Sequence, residues 1–270
     1  MVREYIVNQV KDISNIDCES GIVIGDEGCI YRLIHNDILE MAKEAGKRKI
    51  NVRLLTPFVP DKYMEQAYNQ IEKISNVCKL KVTFNDYGLL HRCKKIIESG
   101  NIIPVAGRIL TRSIIDCPWY SKLLTHENEE LKDAIVGSNY YHSSKWDTIK
   151  KCGINELEIN TIEDKYDDEI EKSGFDTTYH ADNNIISVGR VCFAARWYKL
   201  ELPKCCESPK CQSKISIDLY KKWSKKIHMC EEADMSIKKY YDHMYLQGNV
   251  VYCELDKNHK NSMKCNRVIV

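Results

Sequence analysis

The segment Val188–Cys211, VGRVCFAARWYKLELPKCCESPKC, crowds Cys192, Cys205, Cys206 and Cys211 among Arg190, Arg196, Lys199, Lys204 and Lys210. Cysteines ligate metals, carry redox chemistry, or fill a core as small apolar side chains. Basic neighbours favour the first two. Positive charge lowers a thiol pKa below its free value of about 8.5, and it offsets the charge of a thiolate-bound metal. The spacing is C-x12-C-x5-C through Cys205, or C-x13-C-x4-C through Cys206. Neither is the paired C-x2-C of a zinc ribbon or the compact ferredoxin run. The residues themselves favour metal ligation here and leave open an iron–sulfur cluster or a four-thiolate zinc.

The other cysteines divide by position. Cys29 follows the apolar run GIVIG, so it falls at the carboxyl end of an expected strand. Cys93 and Cys152 lie in helical patterns and Cys78 in a helix-to-strand turn, where a core or spacer role suffices. Cys18, Cys117, Cys230, Cys253 and Cys265 have no partner spacing. The total of 13 cysteines is odd, which argues against a complete disulfide framework. The N-terminal stretch MVREYIVNQVKDISNIDCES has neither an apolar leader core nor a small-residue cleavage site, and no apolar run of about 18 residues follows. A cytoplasmic protein with reduced thiols, and no membrane span, is the expectation.

The elements that must position these cysteines alternate. GIVIG (Gly21–Gly25), NVRLLTPFV (Asn51–Val59), LKVTFND (Leu80–Asp86), IIPVAG (Ile102–Gly107) and Ile154–Asn160 read as strands. Between them, DILEMAKEAG is expected as a helix capped by Asn36 and stopped at Gly46. A second helix opens at Pro60–Asp61, with Met64, Ala67, Tyr68, Ile71 and Ile74 on one face. A third is capped by Asp86 and ends at Gly100. Tyr179–Val191 reads as one further strand, and beyond it the pattern blurs. Strands alternating with helices imply parallel βαβ units. With 270 residues, near the roughly 250 of a (β/α)8 barrel, a single TIM-barrel-like domain over 1–270 is favoured over an open sheet. The cysteine-rich loop, 188–213, lies within it. A hydrophobic content of 43% against 29% charged suits a globular chain, and a net charge of +1 gives no call for nucleic acid as a partner.

Four segments in order carry a family resemblance: Gly25-Asp26-Glu27-Gly28-Cys29, Asn85-Asp86-Tyr87-Gly88-Leu89-Leu90, the VAGRIL segment containing Arg108, and GRVCFAARWYKLELPKC. They resemble the collagenase-like peptidase superfamily, in its iron–sulfur branch that includes the ubiquinone-biosynthesis proteins UbiU and UbiV, with the UbiV group nearer. The resemblance covers roughly Ile22 to Cys211. It implies a TIM-barrel-like fold and a [4Fe-4S] cluster on Cys29, Cys192, Cys205 and Cys211, with Cys206 as the alternative to Cys205. The gap between the last two cysteines is longer here than in UbiV-like sequences, and the chain beyond about Lys214 matches poorly.

The same resemblance implies oxygen-independent hydroxylation with prephenate as oxygen source, acting on a small aromatic or isoprenoid-type acceptor beside a UbiU-like partner. Prephenate is a dicarboxylate, and guanidinium pairs bidentately with carboxylate, so Arg190 and Arg196 are the first candidates to bind it. Arg108 and Arg112 come next, set against a solvated-loop reading. Asn85 at a strand end is a further substrate-contact candidate, whereas Asp86 is better explained as a helix cap. Glu158 points either into the barrel, where it must be paired, or outward. Two other readings stand beside the hydroxylase: a non-catalytic electron-transfer or stabilising subunit, and an RNA-nucleobase hydroxylation factor. The near-neutral charge weighs against the last. No zinc-protease spacing, P-loop or hydrolase elbow occurs, so peptidase activity is not expected.

Overall fold

The structure, a computed structural model, describes residues 2–111, 125–136, 143–160, 171–189, 192–202, 208, 210–211, 213–216, 243–255 and 266–270. The chain divides into two compact units. One comprises Met1–Arg112, Asn139–Ala181 and Ser262–Val270, the other Ser113–Ser138 and Asp182–Asn261.

The first unit is the expected barrel. Its strands are β1 (Val2–Ile6), β2 (Gly21–Gly25), β3 (Asn51–Leu55), β4 (Leu80–Phe84), β5 (Ile102–Ala106), β6 (Glu156–Ile159) and β7 (Asp176–His180). Among the described residues the ring is completed by a strand from the far end of the chain, Arg267–Ile269, which pairs in parallel with both β7 and β1. Local sequence pattern marks neither β1 nor this closing strand. β1 carries two adjacent opposite charges, Arg3 and Glu4, and the closing strand has only three residues.

Helices cover the outside because their apolar residues recur at helical spacing. In α1 (Ile30–Leu33) only Leu33 is buried. α2 (Asn36–Lys47) buries Ile38, Met41, Ala42 and Ala45, and α3 (Met64–Ser75) buries Ala67, Ile71 and Ile74. These side chains meet the outward faces of the strands, among them Ile22, Ile24, Leu54 and Val82, in one continuous apolar shell. Burying each of the isoleucine, leucine, methionine and valine side chains among them is worth about 1.5–3 kcal/mol. The cap of α2 is His35, whose Nδ1 accepts from Asp37 N at 3.4 Å; the expected cap, Asn36, is instead the first helical residue. Asp86 does cap α4 (Tyr87–Arg92), with Oδ1 accepting from Leu89 N at 2.8 Å, and its Oδ2 accepts from Val59 N at 3.3 Å. The helix expected to run on to Gly100 breaks at Cys93 into α4 and α5 (Lys94–Glu98).

The second unit contains an antiparallel sheet of four strands: β8 (Asn183–Val188), β9 (Ile215–Ser216), β10 (Met244–Gln247) and β11 (Val250–Glu254), in the order β8-β11-β10-β9. The barrel's closing strand is therefore β12. The single strand expected over Tyr179–Val191 is two. Ala181 N still bonds to Ile269 O of β12 at 2.8 Å, while the Asp182 carbonyl already accepts from Leu255 N at 3.0 Å, so the chain changes sheets between neighbouring residues.

Candidate functional site

Register sets the site. With parallel neighbours aligned Val23↔Arg53, Arg53↔Lys81, Leu55↔Thr83, Glu156↔Asp176, Glu158↔Thr178 and His180↔Ile269, these residues form the set facing the barrel interior. A TIM barrel ordinarily fills this space with layers of branched apolar side chains. Here Val23, Leu55 and Ile269 form a separate small apolar cluster and Val105 adds another apolar side chain, while charged groups and the Thr83 and Thr178 hydroxyls occupy the positions around them. Arg53, 1% exposed, bonds to Glu4, to Glu156, and to Glu158 through Nη1–Oε1 at 2.8 Å. Burial opposes the Arg53 charge, but the three carboxylates outweigh it and hold its pKa above the ordinary arginine value.

Toward the amino ends of the strands, Lys81 bonds Glu156 at 2.5 Å, and Arg267 lies 3.5 Å from Glu156 and 3.8 Å from Glu4. Burial pushes the Glu156 carboxyl up, yet Arg53 and Lys81 together prevail and hold its pKa at about 2. For Glu158 the balance reverses. Complete burial raises its pKa against the pull of Arg53 and the Thr83 hydroxyl.

At the carboxyl ends, where parallel barrels carry their chemistry, the polar chain continues. Glu158 Oε2 lies 3.0 Å from His180 Nε2 at the end of β7. Beside them Glu27, in the loop after β2, is held by Arg108, with Nε donating to Oε1 at 3.1 Å and Nη2 to Oε2 at 2.5 Å. Local geometry explains both placements. Gly25 ends β2 at φ +90°, and a Cβ there would collide with the Leu55 carbonyl oxygen, so only glycine allows this turn. Asp26 Oδ1 then accepts from Gly28 N at 2.7 Å and fixes the loop carrying Glu27. Asn85, just after β4, accepts at Oδ1 from Ile109 N at 2.9 Å and donates from Nδ2 to Thr56 O at 2.8 Å. Thr111 Oγ1 donates to Glu158 O at 2.6 Å. Those bonds clamp the Gly107–Thr111 turn that presents Arg108.

The sequence candidates fall as follows. Arg108 is 1% exposed, which corrects the solvated-loop reading, and the carboxylate in its fork is the protein's own Glu27. Asn85 is buried, with its amide bonded to backbone at the ends of β3 and β5. Glu158 points inward and is paired. Cys29 is buried at the start of α1, two residues beyond Glu27. In the second unit, Cys192 starts α8 (Phe193–Tyr198; Glu129–Val136 and Ser143–Lys151 are α6 and α7), and its Sγ accepts from Ala195 N at 3.3 Å. Cys211 is buried and Arg196 exposed. Arg190, Cys205, Cys206 and Arg112 lie outside the described residues. No disulfide occurs among the described cysteines. Cys93 is fully buried, Cys78 half-buried and Cys152 exposed, in keeping with core and spacer roles.

No local sequence pattern singles out Glu27, His180, Arg53 or Glu4. Arg53 and Glu158 carry only a partial signal, a charge at an inward position of a short apolar strand. Glu27 sat within the quoted Gly-acidic segment, overshadowed by its cysteine. Among the described residues, no helix is long and apolar enough to cross a membrane. No family model matches the chain, and no curated protein matches it significantly.

Proposed function

We propose that this chain is an iron–sulfur protein that supports oxygen-independent hydroxylation of a small aromatic or isoprenoid-type acceptor, with prephenate as the oxygen-bearing co-substrate and a UbiU-like chain as partner. The observation that carries the reading is the placement of Cys29. It is a buried thiol at the carboxyl end of a barrel strand, two residues from the Glu27–Arg108 pair and in the same mouth loop. The ligands would be Cys29, Cys192, Cys211 and one of Cys205 and Cys206.

The donor set fits such a group in kind. The described members are thiols rather than disulfides, and Cys192 Sγ already accepts a backbone N–H, the contact that tunes cluster sulfurs. When bound, a [4Fe-4S] cluster supplies single electrons. The chain's own residues do the remaining work. Glu27 and Arg108 fix the loop bearing Cys29, and Glu158 Oε2 stays paired with His180 Nε2. Exposed Arg196 remains available for a carboxylate.

Anaerobic purification with iron and sulfide analysis and electron paramagnetic resonance tests this reading. About four irons per chain and a reducible cluster are expected, both lost in Cys29→Ser. Zinc alone in the thiolate site, or an intact cluster in Cys29→Ser, would refute it.

A further inference from the structure

Glu27, Glu158 and His180 stand apart from the thiols. They come from three different elements of the barrel, the β2 loop, β6 and the end of β7. Each offers one ligand atom, and these atoms lie within 4.8 Å of one another. All three are at most 4% exposed. We propose that they form a mononuclear site for a divalent transition metal at the barrel mouth, separate from the cysteines and independent of the cluster reading.

Three observations carry this. The first is geometry. Around a tetrahedral zinc, ligand atoms at about 2.0–2.1 Å from the metal lie roughly 3.3 Å apart. His180 Nε2 and Glu158 Oε2, now 3.0 Å apart, need separate by only a few tenths of an ångström. The remaining gaps, at most 4.8 Å, are what side-chain rotation must close on binding.

The second is the support behind the ligands. Metal-binding carboxylates are characteristically held by outer hydrogen bonds. Glu158 Oε1 takes Arg53 Nη1 at 2.8 Å and Thr83 Oγ1 at 2.5 Å, which turns Oε2 toward His180. Glu27 is braced by Arg108, and each carboxylate oxygen keeps a second lone pair for a metal.

The third is the donor set, two carboxylates and one imidazole, all buried. One imidazole and two carboxylates suit Zn2+, Mn2+ or Fe2+ rather than Ca2+, which takes six or more oxygens. Three protein ligands leave coordination positions for water or a substrate oxygen.

Co2+ added to the full chain, under anaerobic conditions, is the test. The expected result is one Co2+ per chain giving weak visible bands without the intense near-ultraviolet thiolate band, in both the wild type and Cys29→Ser. His180→Gln should bind at least about 100-fold more weakly, and Arg108→Gln about 10–100-fold more weakly. A thiolate band that vanishes in Cys29→Ser, with no other binding, overturns the site, as does unchanged affinity in His180→Gln. Should His180→Gln fail to fold, the wild-type imidazole nitrogen resonances decide. A Zn2+-induced shift at His180 Nε2 supports the site, and an unmoved signal overturns it. Iron content reports on the cluster separately, so either reading can fail alone.

Discussion

The two sides of the barrel wall are built on opposite principles. Outside, β2 and β3 present Ile22, Ile24 and Leu54 to helices lined with Ile38, Met41 and Ile71, an apolar shell whose contributions add and tolerate substitution. Inside, the same strands present Arg53 to three carboxylates. A buried ion network contributes little net stability compared with an apolar filling, but breaking it is costly. The shell therefore holds the fold, and the interior holds a charge arrangement that stability alone does not require. That difference sets the interior apart as the candidate site.

Removing Arg53 should break the comparison most severely. Arg53→Leu takes from buried Glu158 its guanidinium, leaves Glu4 and Glu156 only Lys81 and Arg267, and should cost about 3–5 kcal/mol in chemical denaturation. Even Arg53→Lys should destabilise, since an ammonium cannot span three carboxylates as a planar fork does. A loss below about 1 kcal/mol for Arg53→Leu would mean that the network is not formed in solution.

Acid comes next. Glu156 has a folded pKa of about 2, against 4.5 ordinarily, so its contribution is present above about pH 4.5 and disappears as the pH falls through 2. The size is on the order of 3 kcal/mol. Glu158, raised instead of lowered, works with the opposite sign: its contribution is present below the ordinary carboxylate pKa and is lost as the pH rises through its elevated one. Melting temperature followed from pH 5 downward should therefore drop steeply in the wild type and less in Glu156→Gln. Parallel curves would remove Glu156 from the account.

The shell should respond more mildly. Ile71→Val, buried between α3 and the strands, should cost about 1 kcal/mol with cooperativity intact. The smallest effect concerns reactivity. Burial pushes the Cys93 thiol up to about 12 and Cys78 to about 11, whereas Cys18 and Cys152 are exposed. Among the described cysteines, alkylation near pH 8, followed by mass spectrometry, should label Cys18 and Cys152 before the buried ones and reach Cys93 only on unfolding. Early labelling of Cys93 would show that the shell opens at α4–α5.

How much of this was legible in sequence follows from range. Strands β2 to β6 announce themselves as apolar runs between helices with regular spacing, and Gly21–Gly25 matches residue for residue. Barrel closure does not, because it rests on Val2↔Arg267 and Thr178↔Arg267, pairings between distant segments of which β12 has no local signature. Tyr179–Val191 reads as one strand because its β-branched content is continuous, while the switch between sheets is decided by partners far away. The same limit applies to the site. Asp86 was readable as a cap, since capping is local. Glu158 stayed undecided between inward and outward, since alternation gives the period but not the phase. His180 and Glu27 acquire meaning only when β2, β6 and β7 come together.

The position of β12 also governs how the chain emerges during synthesis. The whole second unit after Ala181 is translated before Arg267–Ile269. Until then β1 and β7 each lack a neighbour and expose unpaired N–H and C=O groups, open templates for another chain. A ribosome-bound or C-terminally clipped form should therefore need chaperone protection that the finished ring does not.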